Sequence, residues 1–254
     1  MVSFKAIVCV VILNLFMKKI VFFVFAVLCA ASCLNGTYQQ DYPLVADFTY
    51  PDDVYTREFG ADSTCLGSGG GFPWNDIAFH NKVTATGEFQ GGFILSYLEA
   101  PGLGEKDKDY IINPYRVAGK PFERSNTYTV YYENPDASKM PEHSITFLVD
   151  PKYGTCVLSH CYVNNTEQVY EAAKSFEPGD KLVLTATGYL GGAVTGTAEI
   201  NLALPDTTMY SWTKFDLTKL GSIDAIDFDL YASRSGIPTS FCLDELNAKV
   251  SIEY

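Results

Sequence analysis

The strictest constraint in this chain is a two-residue alternation of apolar and polar side chains. Ile226-Asp227-Phe228-Asp229-Leu230 puts three apolar residues on one side and both aspartates on the other. Ala198-Glu199-Ile200-Asn201-Leu202 follows the same rule, and Ala248, Val250, Ile252 and Tyr254 oppose Lys249, Ser251 and Glu253. This period places alternate residues on opposite faces of a strand and fits no helix. Residues 45–50, 93–98, 127–132, 144–149, 155–163 and 181–187 are further strand candidates. Pro101-Gly102, Asn134-Pro135, Pro178-Gly179-Asp180, Gly191-Gly192 and Pro205-Asp206 supply turns between them. One short helix is expected at 166–175, with Asn165 as its N-cap and Gln168 at the third position. Many strands, one minor helix, no internal repeat and no break in composition after residue 43 predict an all-β protein. The expected form is a jelly-roll-like antiparallel β-sandwich over residues 44–254, with at most one or two short helices.

Residues 1–32 stand apart, with no acidic residue, no Gly and no Pro. Met17-Lys18-Lys19 precedes an uncharged run, 20–31, that ends in Leu28-Cys29-Ala30-Ala31-Ser32-Cys33. A basic start, a short apolar run and small residues at a cleavage point make a secretory signal. The run is short for a membrane span, and Lys18 and Lys19 in the middle of 6–31 oppose a longer one. Small residues before Cys33 resemble a bacterial lipobox, in which that cysteine is acylated. Two outcomes are open: a lipoprotein anchored through Cys33, or a plain signal peptide cut nearby. Met17 already supplies the basic start, so translation is expected to begin there and residues 1–16 to be superfluous. Residues 33–43 then form a lipid-anchored tether, with the protein at the outer membrane and exposed at the cell surface.

The formal net charge is −12, from 18 basic and 30 acidic side chains. That balance argues against nucleic acid, whose phosphates need clustered Lys and Arg, and against adsorption to anionic lipid through a basic patch. Beyond Cys33 the cysteines are Cys65, Cys156, Cys161 and Cys242. Export permits disulfides among these four, and buried free thiols are the equal alternative. If 155–163 is one strand, about 16 Å separates Cys156 from Cys161. A disulfide needs Cα atoms within about 7 Å, so these two should not pair with each other.

The C-terminal third carries a family resemblance. It runs Ser211-Trp212-Thr213-Lys214-Phe215-Asp216-Leu217-Thr218-Lys219-Leu220-Gly221, then the alternating strand, then Phe241-Cys242-Leu243-Asp244-Glu245-Leu246. Gly179-Asp180-Lys181-Leu182-Val183-Leu184-Thr185-Ala186-Thr187-Gly188 and Cys161-Tyr162-Val163-Asn164-Asn165-Thr166 add to it. Together, over residues 60–246, they resemble a Bacteroidota-type family of secreted β-sandwich proteins catalogued as a domain of unknown function. The early segment Gly71-Phe72-Pro73-Trp74-Asn75-Asp76 departs from that pattern, because Asp76 and His80 replace small residues. The resemblance implies a surface lipoprotein. Some members of the family are cobalamin-binding surface lipoproteins that work beside an outer-membrane transporter. Read without the family, Phe241 and Leu243 face a core while Cys242 and Asp244 face away, and Gly221 is a left-handed stop. Trp212, Leu220, Gly221 and Leu243 are expected to serve the fold.

Motifs of catalysis are missing: no G-x-S-x-G, no H-E-x-x-H, and no Lys-Ser/Thr after the Gly-rich 67–71. The protein is therefore expected not to be an enzyme and to need no cofactor. The three histidines, His80, His143 and His160, lack zinc spacing. Asp227, Asp229 and Asp244 are candidates for a structural calcium, or simply a solvated acidic face. The remaining signal is aromatic. Trp74 follows a Gly-Phe-Pro turn beside Asn75, Asp76 and His80, and Tyr97, Tyr110, Tyr115 and Tyr189 lie near Gly- or Pro-rich connections. Such loops suit stacking on a planar or sugar ligand with hydrogen bonds to its rim. The family resemblance implies a corrinoid as the ligand, with a glycan as the alternative. Trp74 is expected to be the stacking ring, unless another segment covers it and makes it an end-plug.

Overall fold

The computed structural model describes residues 39–48, 64–98, 114–119, 122, 127–148 and 154–253. The expected leader, Met17, the lipidation site Cys33 and Tyr110 lie outside the described residues. The sandwich lies within Asp41–Ile252; a second unit comprises Met1–Gln40 with Glu253–Tyr254.

The described strands are β1 (Gln39–Ala46), β2 (Thr64–Cys65), β3 (Gly71–Trp74), β4 (Ile77–Val83), β5 (Phe89–Ser96), β6 (Tyr128–Tyr132), β7 (Ile145–Phe147) and β8 (Gly154–Asn164). They continue as β9 (Leu182–Leu190), β10 (Ala193–Leu204), β11 (Thr207–Thr208), β12 (Thr213–Asp216), β13 (Ser222–Ile223), β14 (Ala225–Ala232) and β15 (Ser240–Glu253). Among the described residues, one α-helix, α1 (Glu167–Ala173), and two short 3-10 turns complete the set. The all-β expectation holds. No described helix is long and apolar enough to cross a membrane.

The strands form two antiparallel faces. Sheet I runs β11-β10-β9-β14-β7-β4, with β3 on β4; sheet II runs β4-β5-β6-β15-β8-β12. β1 pairs with β15, β2 with β5 and β13 with β8. β4 belongs to both: Ile77, Ala78 and Phe79 pair with β7, while Asn81, Lys82 and Val83 pair with β5. The corner between these halves is held by Asn81, whose Nδ2 donates to the carbonyls of Leu66 (2.8 Å) and Phe93 (2.9 Å). It also requires Gly92, where φ is +92° and a Cβ would stand 2.4 Å from the His80 carbonyl. Phe93, Tyr131, Phe228 and Phe241 meet between the sheets, with ring centroids 5.0–6.4 Å apart.

Three local expectations shift. β1 starts at Gln39, inside the stretch expected to be tether, because Asp41 accepts from Lys249 Nζ (2.9 Å) and Ser251 Oγ (2.7 Å) on β15. The helix is capped by Thr166, whose Oγ1 accepts from Val169 N. Asn165 is occupied elsewhere, its Nδ2 donating to the carbonyls of Leu202 (2.8 Å) and Met209 (3.0 Å). Cys242 and Asp244 do face away from the main core, yet both are buried. A second apolar layer covers that side of sheet II, where Ile94, Tyr128, Val130 and Cys242 pack under Val117, Tyr115 and Trp212. Gly221 is left-handed, as expected, at φ 72°.

Candidate functional site

Among the described residues no such layer covers the outer face of sheet I, and the alternation in the sequence decides what it displays. On β14, Ile226, Phe228 and Leu230 are buried, so Asp227, Asp229 and Tyr231 point outward. On β9, Leu182, Leu184 and Ala186 are buried, which turns Val183, Thr185, Thr187 and Tyr189 outward. Antiparallel register sets Asp227 beside Thr187, Asp229 beside Thr185, and Tyr231 beside Val183. Thr197, Glu199 and Asn201 extend the face across β10. On the other side, Thr146 of β7 and Ala78 and His80 of β4 alternate with buried Ile145, Phe147, Ile77 and Phe79.

Near the middle of this face a polar cluster forms. His143 Nδ1 lies 3.0 Å from Asp227 Oδ1, and the Ser144 N–H donates to the same oxygen at 3.2 Å. The His143 ring packs against Tyr189, with centroids 5.3 Å apart. His80 Nε2 lies 2.7 Å from Thr146 Oγ1. Burial, and then the nearby His143, lower the His80 pKa against the pull of the Gly70 carbonyl, so His80 favours the neutral imidazole. Desolvation and then the Asp227 carboxylate raise both Tyr189 and Asp229.

Beside the cluster, no described strand pairs with β14 beyond Ile226 on the β7 side. β7 reaches only Ala225 and Ile226 of β14. The next groups along that edge are met by side chains. Phe228 N–H donates to Ser144 Oγ (3.0 Å), Ser144 Oγ donates to Tyr131 Oη (3.2 Å), and Tyr131 Oη returns to the Phe228 carbonyl (2.7 Å). Tyr131 reaches this edge through the core from β6 of sheet II. The Leu230 N–H donates to the Glu133 carboxylate. Burial, joined by Asp229, pushes Glu133 up to about 7 against that hydrogen bond. Side chains therefore satisfy the Phe228 and Leu230 main-chain groups along this edge, beside the polar cluster.

The structure gathers His80 and Tyr189, expected as ligand-binding residues, on one face with Asp227 and Asp229. Trp74 is not there. It is 8% exposed and packs on Phe48 at 4.9 Å, so it is the end-plug of the two alternatives. Asn75 (φ 52°) and Asp76 form the two-residue turn of the β3–β4 hairpin; Asn75 Nδ2 donates to the Val45 carbonyl at 2.7 Å. Tyr115 packs on Phe89 in the second layer of sheet II, and Tyr97, 42% exposed, follows β5 in that same sheet. The calcium trio does not converge, since Asp244 lies in sheet II and Asp227 and Asp229 on the outside of sheet I. Among the described residues no three His, Cys, Asp or Glu side chains could hold a metal ion. His143, Thr146, Glu133 and Tyr231 were not singled out from the sequence. For Thr146 and Tyr231 a signal existed, because each is the polar or outward step of an alternating strand.

No protein-family model matches the chain, and no curated protein does. Solved structures do match in three dimensions, among them two from Bacteroides. One is a DUF4465 family protein from Bacteroides caccae, with a TM-score of 0.61 and 22% identity, covering 84% of this chain and 100% of the other. The second is a DUF4465 family protein from Bacteroides ovatus, with a TM-score of 0.55 and 19% identity, covering 87% and 100%. The resemblance read from the Trp212 segment is thus matched by a shared fold, that of Bacteroides DUF4465 proteins.

Proposed function

We propose that the protein is a non-enzymatic surface lipoprotein that captures a nutrient on the outer face of sheet I and passes it to an outer-membrane transporter, with a corrinoid as the ligand. The observation that carries this reading is the meeting of His143, Asp227, Tyr189, His80 and Thr146 on one accessible, strand-borne surface. A corrinoid is a flat ring rimmed by carboxamides. It needs an aromatic surface and a mixture of acceptors and donors, and this cluster supplies both. Neutral His80 is a candidate axial partner for cobalt. The absence of catalytic motifs from the sequence supports capture without transformation.

Calorimetric titration with cyanocobalamin and aquocobalamin tests the reading. Tyr189→Ala and His143→Ala should each weaken binding about tenfold or more, with unchanged circular dichroism. A shift of the aquocobalamin absorption bands that disappears in His80→Ala would assign the axial contact. Absence of binding to either corrinoid would overturn the ligand assignment.

A further inference from the structure

Beyond the histidine cluster, the same face continues along β9, β14 and β10 to a second exposed ring. Tyr189 stands opposite Ala225, and Tyr231, 57% exposed, stands opposite Val183. Six residues of β14 separate the two positions, which is about 20 Å along the sheet. Between them every outward position of β9 and β14 is a threonine or an aspartate, and β10 adds Glu199 and Asn201 alongside. Thr185 Oγ1 lies 3.5 Å from Glu199 Oε1, and Lys181 Nζ lies 5.4 Å from the centre of the Tyr231 ring.

We infer that this strip is a binding track for a neutral, linear oligosaccharide, with Tyr231 and Tyr189 as its end platforms. Sugar rings present apolar C–H faces that stack on aromatic rings, and hydroxyl edges that donate to carboxylates and bond to threonine and amide groups. A flat row of acceptors between two tyrosines therefore fits an extended polyhydroxyl chain. The carboxylates of Asp227, Asp229 and Glu199 make the strip anionic, so it selects neutral sugars and repels uronic acids. Strands hold these side chains in place, which keeps the ordering cost of binding low. The inference does not rest on the corrinoid reading: Tyr231 lies four residues of β14 beyond Asp227, the partner of His143, which is about 13 Å along the strand.

The test is calorimetric titration of the full chain with cellotetraose, xylotetraose, maltotetraose and mannotetraose, their disaccharides, and an oligogalacturonate. At least one neutral tetrasaccharide should bind, and more tightly than its disaccharide. Tyr231→Ala should weaken that binding about tenfold, and Tyr231→Phe should restore it, since the ring does the stacking. Cyanocobalamin titrations of the same variants should be unaffected, which separates failure of this inference from failure of the corrinoid reading. No binding by any neutral tetrasaccharide, equal binding by oligogalacturonate, or an unchanged affinity in Tyr231→Ala would each overturn it.

Discussion

The Glu133 carboxylate accepts the main-chain N–H of Leu230 where β14 runs on past its pairing with β7. Its folded-state pKa, about 7, lies above the ordinary 4.5 because burial outweighs that bond. A raised pKa means the folded protein binds a proton that the unfolded chain has already released. The stabilisation is complete below the unfolded value and is lost as pH rises through about 7. Glu133 is partly solvated, so the effect is about 1 kcal/mol after screening, or roughly 2–4 °C in Tm. Thermal melts should show Tm falling between pH about 5 and about 8. Glu133→Gln keeps the acceptor and should flatten that slope. A slope unchanged in the variant would place its origin elsewhere.

Asp244 offers a sharper case of the same sign. It is fully buried, its Oδ1 accepts from Glu245 N (2.7 Å), and its Oδ2 has no hydrogen-bond partner. Burial, with the Glu245 and Asp47 charges, raises its pKa well above the ordinary value against the Glu245 bond. Asp244→Asn should therefore stabilise the protein at alkaline pH and lose its advantage in acid. Asp244→Leu should cost about 1–3 kcal/mol, because it strands the Glu245 N–H. Urea unfolding of both variants across pH decides this, and an asparagine variant less stable than wild type at about pH 8 would count against it.

Alternation made the sheets legible. Every apolar step in Ile226–Leu230 and in Phe241–Leu243 lands in the core. What was not legible depends on what lies opposite a residue in space. Cys242 is an outward step, as read, but a layer from the 114–119 segment and Trp212 makes outward mean buried. Asn165 has the composition of a cap, and two distant carbonyls claim it instead. β4 is not among the strands read from the sequence, and its division between the sheets depends on Gly92 and the Asn81 side chain. His143 precedes its strand rather than alternating within it, so no period marks it, although it organises the site. His80 and Tyr189 were legible as types, and their proximity was not, because β7 and β14 lie between them.

Cys156, Cys161 and Cys242 are free and buried, and Cys65 is buried as well. β8 runs through both Cys156 and Cys161, consistent with the geometric argument against their pairing. Burial raises Cys156 to about 12 and lifts Cys161 and Cys242 as well. Thiolate is the reactive form, so these thiols should be inert in the folded protein. A thiol-reactive chromophore should titrate them only after denaturation. Rapid labelling of any of them in the native state would show an opening that the packing does not contain.

Trp74 closes one end of the sandwich. Its ring packs on Phe48, which in turn meets Phe79 edge-on at 5.3 Å, and Phe79 stacks on Phe72 at 5.3 Å. The hairpin turn at Asn75 and Asp76 directs the tryptophan inward, and Asn75 ties that turn to the Val45 carbonyl. Truncation would empty the volume of an indole between rings that cannot collapse without moving three strands. Trp74→Ala should therefore cost about 3–5 kcal/mol, while Trp74→Phe should recover much of it. Neither should change the affinity for a ligand on the outer face of sheet I beyond the fraction unfolded. Denaturant unfolding alongside ligand titration separates the two roles: a variant with unchanged stability and lost binding would return Trp74 to the site.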